Sequence, residues 1–256
     1  MKDVQQQKPE NPLYIQKVGV KDISYPIVVL DRSKGQQHTV GSFNLYVDLP
    51  QEFKGTHMSR FIEVLNEYRE EIHIKRFGHI LSEVRATLGA SCAHMQVDFP
   101  YFMEKTAPVS GASGLMEYRC SLIGSASGTE RDFKVKVVVP IQTLCPCSKE
   151  ISSYGAHNQR GIVTVTVRYE KFFWLEDLIE LIEACGSSPV YPILKRPDEK
   201  FVTEQAYDNP RFVEDVVRQV AVALKEHPEF SWFSVEAENF ESIHNHSAYA
   251  YLESQP

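Results

Sequence analysis

The chain has 256 residues, of which 43% are hydrophobic and 24% charged, and its 27 basic and 34 acidic side chains give a formal net charge of −7. Such a chain can bury a substantial core as one large or two small domains, and its acidic balance argues against a general binder of nucleic acid or anionic membranes, although a local basic pocket stays possible. No apolar run is long enough for a bilayer span or a signal peptide. Five cysteines are an odd number for disulfides, so we expect a cytoplasmic protein in which paired cysteines act as metal or catalytic thiols.

The first half of the chain predicts the element order β-β-α-α-β-β. Residues 1–15 are polar, and we expect them to be loosely ordered. Residues 18–30 and 39–49 read as strands, because Phe43, Leu45 and Val47 alternate with polar neighbours. Two helices follow, the second ending at Gly89. The strand pattern then returns in residues 93–104 and 115–124.

The second half repeats this order. Residues 131–141 and 161–170 are predicted strands, and residues 173–186 a helix. A further helix is predicted over residues 209–227, with Asn209 as N-cap and Pro210 at the first helical position. Residues 230–240 and 244–253 are the last two strands.

This order predicts an α+β fold of two tandem modules, residues 16–127 and 128–256, with antiparallel sheets and helices on one face. The boundary is expected near residues 124–130, a stretch rich in Gly and Ser. Each module alone has open sheet edges, which favours edge-to-edge joining of copies into a ring.

The densest set of polar and sulfur ligands lies between two predicted strands, in residues 143–161. Cys145 and Cys147 flank Pro146 in what we expect to be a turn rather than a helix, and His157 precedes the next strand. If this connection folds back as a hairpin, Cys145 and His157 meet at its base, and a thiolate with an imidazole suits Zn²⁺ or a similar divalent ion. The alternative is a buried cysteine and a turn histidine.

A second cluster lies between the last two strands, where Glu241, His244 and His246 combine carboxylate and imidazole groups. Such groups supply general acid and base capacity near neutral pH. A solvated hairpin turn is the alternative.

Residues 189–210 are expected to form a long irregular connection. In it, Lys195 and Arg196 could hold phosphate, and Asp198 or Glu199 could complete a metal site. A surface loop whose charges face water is the alternative.

Two helix starts carry further candidates. Glu214 lies four residues before Arg218, which favours a surface ion pair. His57 and Arg60 lie at a strand-to-helix junction where backbone amides would make an anion site, although a simple helix cap explains this segment equally well. Cys92, Cys120 and Cys185 lie in strand or helix patterns and are expected to be small apolar core residues.

Four segments together resemble the prokaryotic type IB GTP cyclohydrolase I family, the second of the FolE-type enzymes. They are CPCSKEISSYGAHNQRG (residues 145–161), PVYPILKRPDEKFVTEQAYDNPRFVED (189–215), ENFESIHNHSAYA (238–250) and KGTHMSRF (54–61). The resemblance implies a tunnelling fold (T-fold), a homotetramer with active sites at subunit interfaces, and hydrolysis of GTP to 7,8-dihydroneopterin triphosphate and formate. That reaction opens folate biosynthesis and, in many bacteria, the synthesis of 7-deazaguanine tRNA nucleosides such as queuosine.

The resemblance also implies roles for individual residues. Cys145 and His157 match the metal ligands, with Glu199 as the third, and Glu214 matches the carboxylate that holds the N1–H and 2-amino groups of guanine. The residues implied for catalysis are Cys145, Cys147, Glu241, His244 and His246. The candidates for binding the triphosphate are Lys195, Arg196, His57 and Arg60. The metal is expected to be Zn²⁺, Mn²⁺ or Fe²⁺.

Two other interpretations stay open. One is a zinc-stabilised protein without catalytic activity, although structural zinc usually takes four protein ligands and more cysteines than this loop offers. The other keeps the fold and changes the reaction, since T-fold enzymes also act on dihydropterins, 6-carboxytetrahydropterin or a 7-cyano-7-deazaguanine. A nitrile reductase of this fold would use a cysteine nucleophile and NADPH, but the length of the match around Cys145 favours the cyclohydrolase.

Overall fold

The computed structural model describes residues 4–254, so residues 1–3 of the predicted N-terminal segment and residues 255–256 of the predicted second module lie outside the described residues. The elements in chain order are β1 (Ile15–Asp31), β2 (Gly35–Leu49), α1 (Met58–Tyr68), α2 (Ile74–Leu88), β3 (Cys92–Thr106), β4 (Ser113–Ser127), β5 (Glu130–Leu144), α3 (Pro146–Ile151), β6 (Asn158–Tyr169), α4 (Leu175–Glu183), β7 (Ser188–Pro189), α5 (Arg196–Asp208), α6 (Val213–Lys225), β8 (Phe230–Phe240) and β9 (Ser247–Glu253).

The chain divides into two compact units that differ from the predicted modules in outline. The first contains the residues up to Pro100 together with Ser121–Val135, and the second contains Tyr101–Cys120 and the chain from Lys136 onward. The long strands β3, β4 and β5 contribute a segment to each unit. Both units combine antiparallel strand pairs with helices, which confirms the predicted α+β class.

In the first unit, the predicted alternation of strand residues holds. Strand β2 pairs with β1 on one side and with β3 on the other, so Leu45 lies opposite both Val20 and Met95. Leu45 is fully buried and Met95 is 1% exposed. Helix α2 buries Phe77, and it ends as predicted at Gly89, whose left-handed φ of 62° lets its amide bond the helix carbonyls.

In the second unit, β6 pairs with β8, and α6 packs on β8 and β9. The register of β6 and β8 sets Val165 opposite Val235 and Val167 opposite Phe233. Helix α6 contacts β8 and buries Val216, Val217, Val220 and three further apolar side chains. Strand β9 continues the sheet beyond β8. The core of this unit is therefore apolar side chains at a period of two on the strands and of three to four on the helix.

The prediction that residues 189–210 form an irregular connection was wrong, because α5 occupies most of this segment. Pro197 lies at the start of α5, where a proline is tolerated, and the Asp198 carboxylate accepts a hydrogen bond from the Lys195 amide at 2.8 Å. These two features start a helix that buries only Asp198 and Ala206, too few side chains to give a clear apolar period.

The predicted start of the last helix was also wrong. Asn209 is the C-cap of α5, and α6 begins at Val213 with Phe212 as its N-cap. The backbone between them is held elsewhere, because the Arg211 amide donates to the Leu144 carbonyl at 3.0 Å. Pro210 therefore separates two helices rather than opening one.

Within residues 4–254, no helix combines the length and the apolar composition that a membrane span requires.

Gly124 on β4 gives a test of the packing in the first unit. A Cβ at this position would lie 2.6 Å from a Phe77 ring carbon and 2.9 Å from a Phe133 ring carbon. We expect Gly124→Ala to lower the free energy of unfolding by about 1–3 kcal/mol, because both rings would have to shift. Urea unfolding at fixed protein concentration measures this. Ser125→Ala, the neighbouring position on the other face of β4, is the control and should stay within about 0.5 kcal/mol of wild type. Equal losses in the two variants would contradict the explanation.

Candidate functional site

The connection between β5 and β6 folds back as the sequence predicted. The Cys145 amide donates to the His157 carbonyl at 3.0 Å, which closes the base of the loop. Between them lies α3, so the expectation of a turn around Cys147 was wrong. Cys145 is the N-cap of α3, Pro146 opens the helix, and the Cys145 Sγ accepts from the Ser148 amide at 3.4 Å. The Cys145 thiol is half-buried and the Cys147 thiol is exposed.

The imidazole of His157 is held at one nitrogen. Its Nδ1 lies 3.0 Å from Gln159 Oε1 and 3.1 Å from Ser242 Oγ. The His157 amide also donates to Ser148 Oγ at 3.2 Å, which ties the histidine to α3. Because Nδ1 is engaged, the second ring nitrogen, Nε2, is the one that a metal ion or a substrate would use.

The loop between β8 and β9 carries the second cluster, as the sequence predicted. Glu241 is half-buried there, and His244 and His246 are exposed. The two imidazoles stack with their centroids 5.1 Å apart and their planes at 17°. Ser242 in this loop is the residue that bonds His157, so the first and second clusters are in contact through one hydrogen bond.

Helix α5 carries the third group of candidates on its exposed N-terminal turn. Lys195, Arg196 and Glu199 are exposed, whereas Asp198 between them is fully buried. The Asp198 carboxylate accepts from the amides of Val109 and Ser110 at 2.8 Å each and from the Ser110 hydroxyl at 2.6 Å. This carboxylate therefore joins the start of α5 to the β3–β4 turn, a structural role that replaces the one expected from the sequence.

Desolvation and hydrogen bonding act in opposite directions on the pKa of Asp198. Desolvation alone would raise the pKa of this carboxyl group, but the hydrogen bonds from Ser110, Lys195 and Val109 outweigh it and hold the pKa below the usual range. Asp198 is therefore ionised at neutral pH and acts as a fixed anchor for the segment that presents Glu199.

The fourth candidate, Glu214, lies exposed in the first turn of α6. The predicted ion pair with Arg218 was wrong, because Arg218 Nη1 bonds Asp215 Oδ1 at 3.0 Å. Asp215 also accepts from the Phe212 amide at 3.1 Å as the helix cap. The neighbouring aspartate takes both local roles, and the Glu214 carboxylate faces solvent.

His57 and Arg60 lie in the first unit, at the start of α1, where His57 is the N-cap. They border a cavity of about 350 Å³ that is also lined by Thr56, Gln5 and Asp48. Arg60 Nη1 donates to the Thr87 carbonyl at 3.3 Å. The predicted anion site thus has a cationic side chain and a concave surface.

The residues of the first loop fit a borderline-soft metal ion in type, because a thiol and an imidazole lie at the two ends of one closed hairpin. Across residues 4–254, no three His, Cys, Asp or Glu side chains converge closely enough to hold a metal ion. Glu199 as the third ligand therefore stays a prediction.

A cavity of about 360 Å³ lies in the second unit beside this loop. Its polar lining residues are Gln142, Asn158, Gln159, Arg160 and Tyr191. The wall at Tyr191 is supported by a buried ion pair, since Lys105 Nζ lies 4.6 Å from the Tyr191 ring centroid and 2.6 Å from Glu183 Oε1. Burial lowers the pKa of Lys105 in spite of the Glu183 carboxylate.

Sequence reasoning missed two residues that organise the site, Gln159 and Ser242, and it named Asp198 as a possible metal ligand rather than as an anchor. Gln159 and Ser242 bond His157, and Asp198 anchors α5. The spacing of Gln159 two residues after His157 on a strand was the available signal, since such residues share a face. Cys120 and Cys185 are buried as expected, and burial raises the pKa of Cys185 to about 11. The same expectation was wrong for Cys92, which is half-buried and whose Sγ lies 3.0 Å from Ser127 Oγ.

Comparison with known proteins gives consistent matches. A family model described as type I GTP cyclohydrolase folE2 matches residues 1–250. The chain is 61% identical to GTP cyclohydrolase FolE2 of Syntrophotalea carbinolica, over 100% of this chain and 96% of the relative. It is 62% identical to the protein of that name from Syntrophus aciditrophicus, over the full length of both chains.

Solved structures show the fold alone. Uricase from Arthrobacter globiformis superposes with a TM-score of 0.56 at 9% identity, covering 94% of this chain and 93% of that chain. Urate oxidase from Bacillus subtilis 168 gives a TM-score of 0.52 at 8% identity, covering 93% and 98%. These neighbours are T-fold proteins, which agrees with the expected fold class.

Asp198→Asn tests the anchor of α5. The folded pKa of Asp198 is depressed, so its contribution to stability is fully present above the unfolded pKa of about 4 and is lost as the pH falls through the folded pKa. The difference in unfolding free energy between wild type and Asp198→Asn should therefore be largest above about pH 5 and should narrow below about pH 4.

Urea unfolding at fixed protein concentration across this pH range measures the difference. Asp208→Asn, at the exposed C-terminal end of the same helix, is the matched control and should show little effect at any pH. A difference for Asp198→Asn that does not change with pH would contradict the role of its negative charge.

Proposed function

The chain belongs to the type I GTP cyclohydrolase FolE2 family, and on that premise we propose that it is a GTP cyclohydrolase I, which converts GTP and water to 7,8-dihydroneopterin triphosphate and formate. The observation that carries the proposal is the closed hairpin that sets Cys145 beside His157, with His157 Nδ1 already bonded. A thiolate and an oriented imidazole are the ligands expected for a catalytic divalent ion.

The proposed cofactor is Zn²⁺, Mn²⁺ or Fe²⁺, held by Cys145 and His157 with Glu199 as the third ligand. When bound, such an ion supplies Lewis acidity that makes water nucleophilic near neutral pH, which the poorly electrophilic C8 of guanine requires. Glu199 is supported by its place in the exposed first turn of α5, next to the buried Asp198 that anchors that turn.

Glu214 is the proposed anchor of the guanine ring. Its carboxylate would accept hydrogen bonds from the N1–H and the 2-amino group, two donors that match its two oxygens. The proposal is supported by the exposed position of Glu214 and by the pairing of Arg218 with Asp215 instead.

The triphosphate carries about four negative charges and calls for cations. Lys195 and Arg196 in the second unit are the proposed partners, because both side chains are exposed at the start of α5. His57 and Arg60 border their own cavity in the first unit and are proposed for the same role.

Proton transfers are assigned to the β8–β9 loop and to α3. Opening the imidazole ring of guanine requires a proton on the departing nitrogen, and release of formate requires a second transfer. His244, His246 and Glu241 are the proposed acid and base groups, since imidazoles can exchange protons near neutral pH. Cys145 and Cys147 are also proposed to take part in catalysis, the exposed Cys147 from within α3.

We further propose the finer features of the fold and assembly. Residues 16–127 follow the order β-β-α-α-β-β, and residues 128–256 follow it once α3, β7 and α5 are set aside, which supports two tandem modules. A homotetramer with active sites at subunit interfaces, a cytoplasmic location and a role in folate or 7-deazaguanine biosynthesis complete the proposal.

Cys145→Ala and His157→Ala test the metal site. We expect each variant to remain folded, to lose stoichiometric metal binding and to lose at least about 100-fold in GTP conversion, because each removes one strong ligand. Metal content after dialysis and pterin fluorescence after oxidation are the readouts. Cys185→Ala, at a buried thiol outside the site, is the control for metal content. Full metal stoichiometry in either site variant, or undiminished conversion of GTP by chelator-treated wild type, would refute the assignment.

Glu214→Ala tests the guanine anchor. We expect the affinity for GTP to fall roughly 10- to 100-fold, because hydrogen bonds to a charged group contribute about 1.5–3 kcal/mol. Calorimetric titration of GTP into the metal-free protein measures it without turnover. Glu204→Ala removes another exposed glutamate, on α5, and should bind GTP as wild type does. Unchanged affinity in Glu214→Ala would remove this residue from the site.

A further inference from the structure

Gln159 is a buried polar residue to which neither the sequence nor the proposed reaction gives a role. It is 8% exposed, lies at the start of β6 and lines the cavity beside the first loop. Its side-chain carbonyl oxygen is 3.0 Å from His157 Nδ1. Ser242 Oγ approaches the same nitrogen at 3.1 Å from the β8–β9 loop.

From this geometry we infer that Gln159 is a positioning residue that fixes the tautomer and the ring orientation of His157, with Ser242 as a second support. The inference rests on the proposed function, in which His157 binds the metal ion. It concerns the residue behind the ligand rather than the ligand itself.

The chemistry follows from what each atom can do. A carboxamide oxygen only accepts hydrogen bonds, so the nitrogen that faces it must carry the proton. A neutral imidazole with its proton on Nδ1 has its lone pair on Nε2, the form that coordinates a metal ion through Nε2. The opposite tautomer would present an N–H to the ion and would have to rearrange before binding.

Sequence spacing and backbone contacts also hold His157 against Gln159. Gln159 follows His157 by two residues, so the two side chains lie on the same side of the extended chain. The His157 backbone is fixed separately by the Cys145 amide and the Ser148 hydroxyl. The backbone contacts and the hydrogen bonds at Nδ1 together favour a single orientation of the imidazole.

Ser242 adds a connection to the proposed proton-transfer groups. It lies next to Glu241 and two residues before His244, in the loop between β8 and β9. The hydrogen bond at Nδ1 therefore joins the metal-binding hairpin to the loop with the acid and base candidates. Removal of the Ser242 hydroxyl should loosen this loop while Gln159 still sets the tautomer.

The central experiment compares the affinity for Zn²⁺ alone, measured on metal-free protein by competition with a chromophoric chelator. Gln159→Leu removes the acceptor at similar size, and we expect the dissociation constant to rise about 10- to 100-fold. Gln159→Glu keeps an acceptor, so its dissociation constant for Zn²⁺ should stay within about threefold of the wild-type value or be lower. The reason is that a carboxylate accepts a hydrogen bond more strongly than an amide. Gln142→Leu, a second glutamine that lines the same cavity, is the control and should not change the constant.

Cobalt substitution separates positioning from loss of a ligand. Saturated with Co²⁺, Gln159→Leu should keep the thiolate-to-metal absorption band of wild type, because Cys145 and His157 remain the ligands. The dissociation constant of Ser242→Ala for Zn²⁺ should stay within about threefold of the wild-type value. Limited proteolysis in the absence of GTP should cleave its β8–β9 loop faster than that of wild type.

A measurement on wild type tests the tautomer of His157 directly. Long-range ¹⁵N–¹H spectra of the histidine-labelled, metal-free protein should show His157 protonated at Nδ1 and unprotonated at Nε2, with the signal assigned by its absence in His157→Gln. Protonation at Nε2 instead would overturn the inference. So would wild-type zinc affinity in Gln159→Leu, or an equal loss in Gln159→Glu and Gln159→Leu, since the amide would then be donating.

If the proposed function itself is wrong, the measurements on wild type will differ from those expected. In that case wild type itself would bind no stoichiometric metal ion and would convert no GTP. If wild type does both and Gln159→Leu matches it, only the role of Gln159 is refuted.

Discussion

The hydrogen bond from the Cys145 amide to the His157 carbonyl is the contact on which the candidate site depends. It continues the pairing of β5 and β6 by one step beyond the strands, so the buried core residues of those strands fix both ends of the loop. Val139 and Val163 are fully buried on the two strands. The backbone separation of Cys145 and His157 is therefore set by sheet geometry, and the eleven residues between them are free to carry α3 and its exposed thiol.

Around this hairpin, the second unit uses polar contacts, some buried and some exposed, to hold surface segments in place. Asp198 fixes the start of α5, and Lys149 reaches from α3 to the carbonyl and ring of Tyr207 near the end of that helix. Glu183 accepts from Lys105 and from Tyr118, both largely buried. Buried charges are costly unless every group is paired. Their use here orders segments that have little apolar surface of their own.

The sequence was sufficient for elements whose side chains repeat with a clear period. Phe43, Leu45 and Val47 predicted β2, and Gly89 predicted the end of α2, because burial and a left-handed backbone leave direct traces in residue type. Helix α5 left no such trace, since polar contacts rather than an apolar face fix it.

The candidate site was predictable to the same extent. The closing of the loop at Cys145 and His157 followed from two strands and a connection. The partner of Arg218 could not be predicted in this way, because Glu214 and Asp215 lie four and three residues before it and both are within reach on a helix. The structure pairs Arg218 with Asp215, which also accepts the Phe212 amide as the helix cap. The role of Gln159 depends on which ring nitrogen faces it, and only three-dimensional structure supplies that.

Strand β6 leaves the candidate site directly into a pairing with β8 that sets Gly161 opposite Asn239. A side chain at Gly161 would place its first carbon 2.5 Å from Asn239 Oδ1, so the Asn239 side chain occupies the space that glycine leaves open. Inserting or deleting a single residue in β6 would turn Val163, Val165 and Val167 toward the opposite face of the sheet. The register of β6 therefore has to be kept between Gly161 and Val167 for these valines to stay in the core, whereas a register shift is accommodated at its far end, between Arg168 and Tyr169.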